Sequence, residues 1–135
     1  MKVKKSLVIP VYNASDEISL IRNDVNYLIK KYSNNIEIIF VCDGCKDNSK
    51  ELLQRYFGSN EQVIIIDYKI NKGKGFALRA GFSKCKGEVV VFTDVDFSYS
   101  ASEIVKMFDR LDFGEKLVLV NRRDAQSTFL ISPPL

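Results

Sequence analysis

The sequence predicts an α/β fold, a doubly wound and mostly parallel sheet with helices on both faces. Short apolar runs alternate along the chain with segments whose apolar residues recur at helical spacing. The runs are continuously apolar, which is typical of parallel strands covered on both faces. Right-handed crossovers then wind the sheet in both directions, and 135 residues suit one such domain.

Five apolar runs predict the strands of this sheet. They lie at residues 5–10, 36–42, 63–67, 88–93 and 116–120. Each run is short and is followed by polar or glycine-containing residues, as expected where a buried strand leaves the core.

Four segments predict the helices that connect the strands. They lie at residues 15–32, 48–57, 75–84 and 100–111. The first carries an apolar stripe formed by Ile18, Ile21, Val25, Leu28 and Ile29. The last begins with Ser100 and Glu103 at capping-box spacing. No element is predicted for residues 125–135.

Four polar segments follow the first four strands, and all of them fall on one edge of the predicted sheet. They are VYN at 11–13, CDGCKDNS at 42–49, NKGKG at 71–75 and DVD at 94–96. Ligands of doubly wound sheets bind at this edge, where the winding direction reverses. The functional site is therefore expected there.

Asp94 and Asp96 directly follow an apolar strand. In an extended segment their side chains point the same way, so both carboxylates can face one ligand. Mg²⁺ or Mn²⁺ is held by one or two carboxylates plus substrate phosphates, and such an ion stabilises a diphosphate leaving group. The alternative is a solvated turn in which Asp94 caps the backbone locally.

The CDGCKDNS segment offers Asp43 as an acceptor for a base or a ribose, while Asp47, Asn48 or Ser49 can cap the next helix. Cys42 and Cys45 form a C-x-x-C, which also occurs in thiol redox proteins. Zinc would need more ligands than Cys85 can add. Without a secretion signal, reduced and buried thiols are the default interpretation.

Three further features are compatible with phosphate or nucleotide binding. The segment NKGKGFALRAG, with Lys72, Lys74 and Arg79, is glycine-rich, basic and leads into a helix. Tyr12 can pack on a base or sugar ring. Arg122 and its neighbour in NRRD follow the fifth strand. Each also has a structural explanation, as a flexible loop, a strand-end tyrosine or a solvated basic turn.

In this order, IPVYN, IIFVCDGCKDNS, NKGKGFALRAGF and GEVVVFTDVDFSYSASEI resemble the inverting family-two glycosyltransferases of the GT-A fold. The closest branch is the one that makes polyprenyl- and dolichyl-phosphate sugars. The resemblance covers residues 6–123. It implies transfer of a sugar from a UDP- or GDP-linked donor to an acceptor, with a divalent cation, Mg²⁺ or Mn²⁺, supporting the leaving group.

The resemblance also assigns roles to particular positions. Asp94 and Asp96 are the expected catalytic and metal-binding residues. The expected donor-binding residues are Pro10, Val11, Tyr12, Asn13, Glu17, Asp43, Lys74, Asp94, Val95 and Arg122. Two departures stand out, because the family often has paired Asp where this chain has Cys42-Asp43, and Gly-Ser-Arg where it has Val120-Asn121-Arg122.

The same resemblance leads us to expect a donor-binding domain at residues 1–124 and a tail at 125–135 that ends before an acceptor-binding half. A catalytically incomplete nucleotide-sugar-binding module is therefore one alternative, and a C-x-x-C redox protein is another. An acceptor that is a polyprenyl phosphate or a saccharide is expected. Self-association is expected as well, through apolar surface left at the sheet edge.

Composition limits the remaining classes of function. The chain has no histidine, which excludes histidine-based catalysis, and its net charge of +3 selects neither an anionic small molecule nor a membrane surface. No apolar run approaches the roughly 20 residues of a membrane span. We expect a cytoplasmic location, or one at the cytoplasmic face of a membrane, and no nucleic-acid partner. Membrane contact is expected only through segments outside this sequence or through the acceptor.

Overall fold

The computed structural model describes residues 4–96, 100–112, 118–120 and 128–130. Residue 112 and the last two segments are described by their backbone alone. Strands and helices alternate as predicted up to the fourth helix. The strands are β1 (Lys5–Val11), β2 (Ile36–Asp43), β3 (Val63–Tyr68), β4 (Val89–Phe92), β5 (Val118–Val120) and β6 (Thr128–Leu130). The helices are α1 (Ser15–Tyr32), α2 (Ser49–Phe57), α3 (Lys74–Lys84) and α4 (Ala101–Asp112).

The first four strands form one parallel sheet in the order β3-β2-β1-β4. The chain winds outward from β1 through β2 to β3, then returns to the other side of β1 to add β4. The winding direction therefore reverses between β1 and β4, which is where a doubly wound sheet opens a crevice at its carboxyl edge. This confirms the predicted fold class.

Helices cover both faces of the sheet, but unequally. Buried residues of α1, α2 and α4 pack on one face, against alternate strand residues such as Leu7 and Ile9. On the other face, α3 is the helix that packs against Val8 and its neighbours among the described residues. A Cβ at Gly81 would lie 2.4 Å from a methyl of Val8, so this glycine lets α3 sit unusually close to β1. All five residues of the predicted α1 stripe are buried.

The C-terminal part of the chain differs from the prediction. β5 does not extend the parallel sheet but pairs antiparallel with β6, with Val118 opposite Leu130. Residues 125–135, for which no element was expected, therefore contribute a strand. The pairing is antiparallel because a short connection joins antiparallel strands, whereas parallel neighbours need a long crossover. The sequence did not predict β6 because a three-residue strand is too short to show a periodic pattern.

The start of α4 also corrects a prediction. The Ser100 hydroxyl lies 2.7 Å from that of Ser102 instead of capping the helix, and the Ser100 carbonyl accepts from the Glu103 N–H. The predicted capping box is therefore not formed. Within the described segments, none of the helices has the length and apolar character needed to cross a membrane.

Candidate functional site

A pocket of about 390 Å³ opens at the carboxyl edge of the sheet, at the point where the winding direction reverses. The last residue of β2 and the loops after β1, β3 and β4 contribute to it. Its lining consists of Pro10, Val11, Tyr12, Asn13, Ala14, Glu17, Asp43, Asn71, Gly73, Lys74, Asp94, Val95 and Asp96. The four polar segments that the sequence placed at one edge are thus brought to one cavity.

Nearly every predicted site residue lies in this lining, including both carboxylates of the DVD segment. Arg122 lies outside the described residues. Ala14, Asn71 and Gly73 line the pocket but were not predicted. The NKGKG segment is predicted to meet phosphate through its backbone N–H groups and its basic side chains. Of the three basic residues named for it, Lys74 lines the pocket, whereas Lys72 and Arg79 do not.

The loop after β1 is fixed to the loop after β2 by polar contacts. Asn13 adopts φ +47°, a conformation tolerated by asparagine, and its Oδ1 accepts from the Lys46 N–H at 2.8 Å. The Ala14 N–H donates to the Ser49 hydroxyl at 2.8 Å. These bonds leave the Tyr12 ring half-exposed at the pocket.

Asp47 joins the starts of two helices. Its Oδ1 accepts from the Ser49 N–H at 3.0 Å and the Ser49 hydroxyl at 2.6 Å, while its Oδ2 accepts from the Ser15 N–H at 3.2 Å. Burial acts to raise the pKa of Asp47, but the hydrogen bonds from Ser49 and Ser15 outweigh it and lower the pKa. The N-cap position of α2 is Asn48, which makes no side-chain cap bond. Asp47, one residue earlier, instead supplies a carboxylate to the first N–H groups of both α1 and α2.

Asp43 is 3% exposed, and its carboxylate is occupied by the loop that follows β3. Oδ1 accepts from the Lys72 N–H at 2.8 Å, while Oδ2 accepts from the Asn71 side-chain amide at 2.9 Å and the Gly73 N–H at 3.0 Å. The carboxylate thus holds the segment that leads into Lys74, and because Asp43 also lines the pocket, its contact with a base or ribose stays a prediction.

The tightness of this contact explains Gly44. Its φ is +68°, and a Cβ there would lie 2.3 Å from the Asn71 backbone nitrogen. Only glycine fits such a conformation at such an approach. The buried hydroxyl of Tyr68 lies near Asp43, and none of the residues that the structure describes forms a hydrogen bond with it. Burial, followed by the influence of Asp43, raises the pKa of Tyr68 well above its usual range.

Lys74 and Asp94 form an ion pair at the pocket. The Lys74 Nζ lies 2.6 Å from Asp94 Oδ1, and the side chains are 55% and 26% exposed. Val95 and Asp96 form a turn, so the two carboxylates do not reach the pocket through the strand alternation that the sequence suggested. A turn brings them to the same cavity instead.

The three cysteines are free, and the geometry around Cys42 is unfavourable for redox chemistry. Cys42 is fully buried, and this burial, followed by the proximity of Cys45, raises its pKa to about 12. Cys45 donates to the Val11 carbonyl at 3.3 Å, and burial raises its pKa too. Reactive redox cysteines have lowered pKa values. In the part of the chain that the structure describes, no group of three candidate ligands could hold zinc.

Comparison with known proteins relates this chain to sugar transferases. The Glycosyl transferase family 2 model matches residues 6–133. An undecaprenyl-phosphate 4-deoxy-4-formamido-L-arabinose transferase of Pseudomonas fluorescens is 32% identical over 91% of this chain and 36% of its own length. The dolichyl-phosphate beta-glucosyltransferase of Saccharomyces cerevisiae is 36% identical over 78% of this chain and 34% of its own. Most of each relative therefore lies outside the match.

Solved structures share the fold of the chain at low sequence identity. The glucosyl-3-phosphoglycerate synthase of Mycobacterium tuberculosis, in complex with Mn²⁺, UDP and glucosyl-3-phosphoglycerate, superposes with a TM-score of 0.67, 20% identity and coverage of 84% of this chain and 41% of its own. A mannosyltransferase of Pyrobaculum calidifontis, in complex with GDP-Man and Mn²⁺, superposes with a TM-score of 0.63 at 20% identity. The match covers 71% of this chain and 28% of the mannosyltransferase. The architecture is that of the GT-A glycosyltransferases.

Proposed function

The chain belongs to glycosyl transferase family 2, and we propose that it is the donor-binding part of an enzyme that transfers a sugar from a UDP- or GDP-linked donor to a polyprenyl phosphate. The observation that carries this proposal is the pocket at the reversal of the sheet, where Asp94, Asp96 and Lys74 converge. The choice of acceptor is supported by the names of the two relatives, one an undecaprenyl-phosphate and the other a dolichyl-phosphate transferase.

We assign the nucleotide to the side of the pocket formed by the loop after β1. The half-exposed ring of Tyr12 offers a face for a base or ribose, and the pocket residues beside it are Pro10, Val11, Asn13 and Glu17. Asp43 also lines the pocket and holds Gly73 and its neighbours in place. Arg122 remains a candidate phosphate ligand from the sequence alone.

The residues present fit a hard divalent cation. Asp94 and Asp96 supply carboxylate oxygens at one cavity, the ligand type that Mg²⁺ and Mn²⁺ prefer. The described residues contain no cluster of three candidate ligands, which suits an ion completed by substrate phosphates and water. Of the two, we assign the ligand role first to Asp96, as the resemblance of the DVD segment to family-two glycosyltransferases implies. When bound, such an ion would neutralise charge on the diphosphate.

The proposed reaction is a direct displacement with inversion. An oxygen of the acceptor phosphate forms a bond to the anomeric carbon, and the bond from that carbon to the diphosphate breaks, so that the nucleoside diphosphate leaves with the electron pair. A phosphate oxygen is already anionic, so no protein group needs to remove a proton from it. Lys74 would offset the negative charge that develops on the leaving group.

The remaining proposals concern the protein beyond the pocket. We propose that residues 1–124 form the donor-binding domain and that acceptor binding involves parts corresponding to the rest of the longer relatives. A location at the cytoplasmic face of a membrane would suit a lipid-phosphate acceptor. Self-association through apolar surface near the sheet edge stays a prediction, to be tested by sedimentation of the purified chain.

Calorimetric titration with UDP and with GDP, each with and without Mn²⁺, tests the donor site. We expect Mn²⁺-dependent binding of one nucleotide, lost in Asp96→Asn and retained in Asp109→Asn, which removes an exposed carboxylate from α4. Equal binding by wild type and Asp96→Asn would contradict the cation assignment. No binding of either nucleotide would contradict the proposal that this chain holds the donor.

A further inference from the structure

We propose that the outer side of α3, together with the loop before it, binds the anionic surface of a lipid bilayer. This α3 surface is formed by Ile70, Lys72, Phe76, Arg79, Phe82 and Lys84. All six are exposed within the described part of the chain, and none of them lines the donor pocket. The donor site therefore leaves their composition unexplained.

Positive charge is concentrated in this part of the chain. Residues 69–86 contain six basic residues and no carboxylate. The whole chain carries a formal charge of +3, so the residues outside 69–86 together carry −3. A surface with this asymmetry attracts an anionic bilayer and orients the molecule toward it.

Exposed apolar side chains lie on the same side of α3 as the basic ones, and this distinguishes the α3 surface from an ordinary solvated basic face. At 100° per residue, Phe76 and Phe82 project about 60° to either side of Arg79, on the outward half of the helix. They are 37% and 40% exposed, and Ile70 in the preceding loop is 70% exposed. The inward half is already formed by the small residues Ala77 and Gly81. Exposed aromatic side chains among basic ones are typical of segments that lie at a membrane interface.

The two phenylalanines are held by the sheet. The Phe76 ring meets that of Tyr68 edge-on at 5.5 Å, and the Phe82 ring meets that of Phe92 at 6.0 Å. The Lys72 ammonium lies 4.6 Å from the centre of the Phe76 ring. It occupies ring surface on which a nucleic-acid base would stack, so the arrangement favours insertion into a lipid interface over binding of single-stranded nucleic acid.

The α3 surface is continuous with the mouth of the donor pocket. Lys74 is the first residue of α3 and also lines the pocket. Bilayer contact along α3 would therefore bring the pocket beside the membrane, where a lipid phosphate is presented. This last step rests on the proposed function, whereas bilayer binding itself does not.

Flotation with vesicles tests the proposal on the full chain. We expect binding to vesicles of phosphatidylcholine with phosphatidylglycerol, and little to phosphatidylcholine alone. The triple variant Lys72→Gln, Arg79→Gln, Lys84→Gln should bind on the order of a hundredfold more weakly. A control that removes the same charge from the opposite face, Lys30→Gln, Arg55→Gln, Lys106→Gln, should keep most of the binding. Equal losses, or no binding by wild type, would overturn the proposal.

Tryptophan reporters locate the contact, because the chain has no tryptophan of its own. Phe82→Trp should shift its emission to the blue on adding anionic vesicles, and Leu20→Trp, at a 79% exposed position on α1, should not. An unchanged Phe82→Trp spectrum, or binding to a single-stranded oligonucleotide but not to vesicles, would refute lipid binding by this surface. The nucleotide titrations contain no lipid, so failure here and failure of the donor site are distinguishable.

Discussion

The Lys74 ammonium lies 2.6 Å from the Asp94 carboxylate, so the first residue of α3 is paired with the first acidic residue after β4. The pair joins two loops on opposite sides of β1 in the sheet order. It also places a cation beside the carboxylates to which we assign a metal ion. Lys74 therefore offsets carboxylate charge that a divalent ion would also balance.

Replacing Lys74 should affect metal and donor binding in opposite directions. In Lys74→Gln, Mn²⁺ without nucleotide should bind more tightly, because the charge of Asp94 is no longer offset. Nucleoside diphosphate should bind about tenfold more weakly, since one charge-assisted contact is lost. Calorimetry measures both affinities, with Lys72→Gln as the control that removes a nearby charge outside the pocket. A parallel change in both affinities would contradict this account.

Asp43 should be more important for the shape of the pocket than for direct contact with the donor. Asp43→Asn keeps one acceptor but presents an amide donor to the N–H groups of residues 71–73. We expect a loss of about 1–3 kcal/mol in the free energy of unfolding, measured by urea titration, together with weaker donor binding. Asp67→Asn, at the exposed end of β3, is the matched control. Unchanged stability with lost binding would restore the direct role for Asp43.

Two glycines near the pocket should respond to alanine with opposite signs. Gly44→Ala places a methyl 2.3 Å from the Asn71 nitrogen at a φ of +68°, and we expect a destabilisation of about 2–4 kcal/mol. At Gly75, in the first turn of α3, the nearest atom to a new Cβ is 3.8 Å away, so Gly75→Ala should stabilise by about 0.5–1 kcal/mol. Thermal unfolding of the two variants decides this.

Much of the site could be predicted because the fold fixes where strands end. Continuous apolar runs identified the parallel strands, and their carboxyl ends then placed Tyr12, Asp43 and Asp94 at one edge. Asn71 and Gly73, which were not named as site residues, act through contacts between loops, Asn71 with its side-chain amide and Gly73 with its backbone N–H. Asn71 and Gly73 line the pocket because the loop after β3 folds onto a buried carboxylate, and such pairing between distant loops leaves no periodic signal.

Short or polar segments were a second source of error, because their sequence is compatible with more than one backbone conformation. A D-x-D sequence is compatible both with an extended segment and with a turn, and only the path after β4 selects the turn. The strand β6, at Thr128–Leu130, is too short to stand out from its surroundings. The basic side chains of the segment after β3 were assigned to phosphate, but most of them lie on the α3 surface.

The carboxylate of Asp47 at the starts of α1 and α2 predicts a specific pH dependence of stability. Because the folded-state pKa of Asp47 is lowered from 3.8, its contribution to stability is complete above the unfolded value and is lost as the pH falls through the folded value. The stability difference between wild type and Asp47→Asn should thus be constant near neutral pH and shrink in acid. Urea titrations at several pH values measure it. A difference that grows below pH 3.8 would contradict the lowered pKa.

The Cys42 thiol should be nearly inert in the folded chain. Its pKa rises from 9.0 to about 12, which lowers the thiolate fraction at pH 8 roughly a thousandfold, and the thiolate is the reactive form. Alkylation followed by peptide mass analysis should therefore label Cys42 more slowly than Cys85 in buffer, and all three cysteines alike in urea. Cys42→Ser should leave nucleotide binding unchanged. A buried thiol of raised pKa forms a disulfide only after local opening of the loop after β2, so we expect slow oxidation. Rapid and reversible formation of a Cys42–Cys45 disulfide under mild oxidation would instead favour the redox alternative.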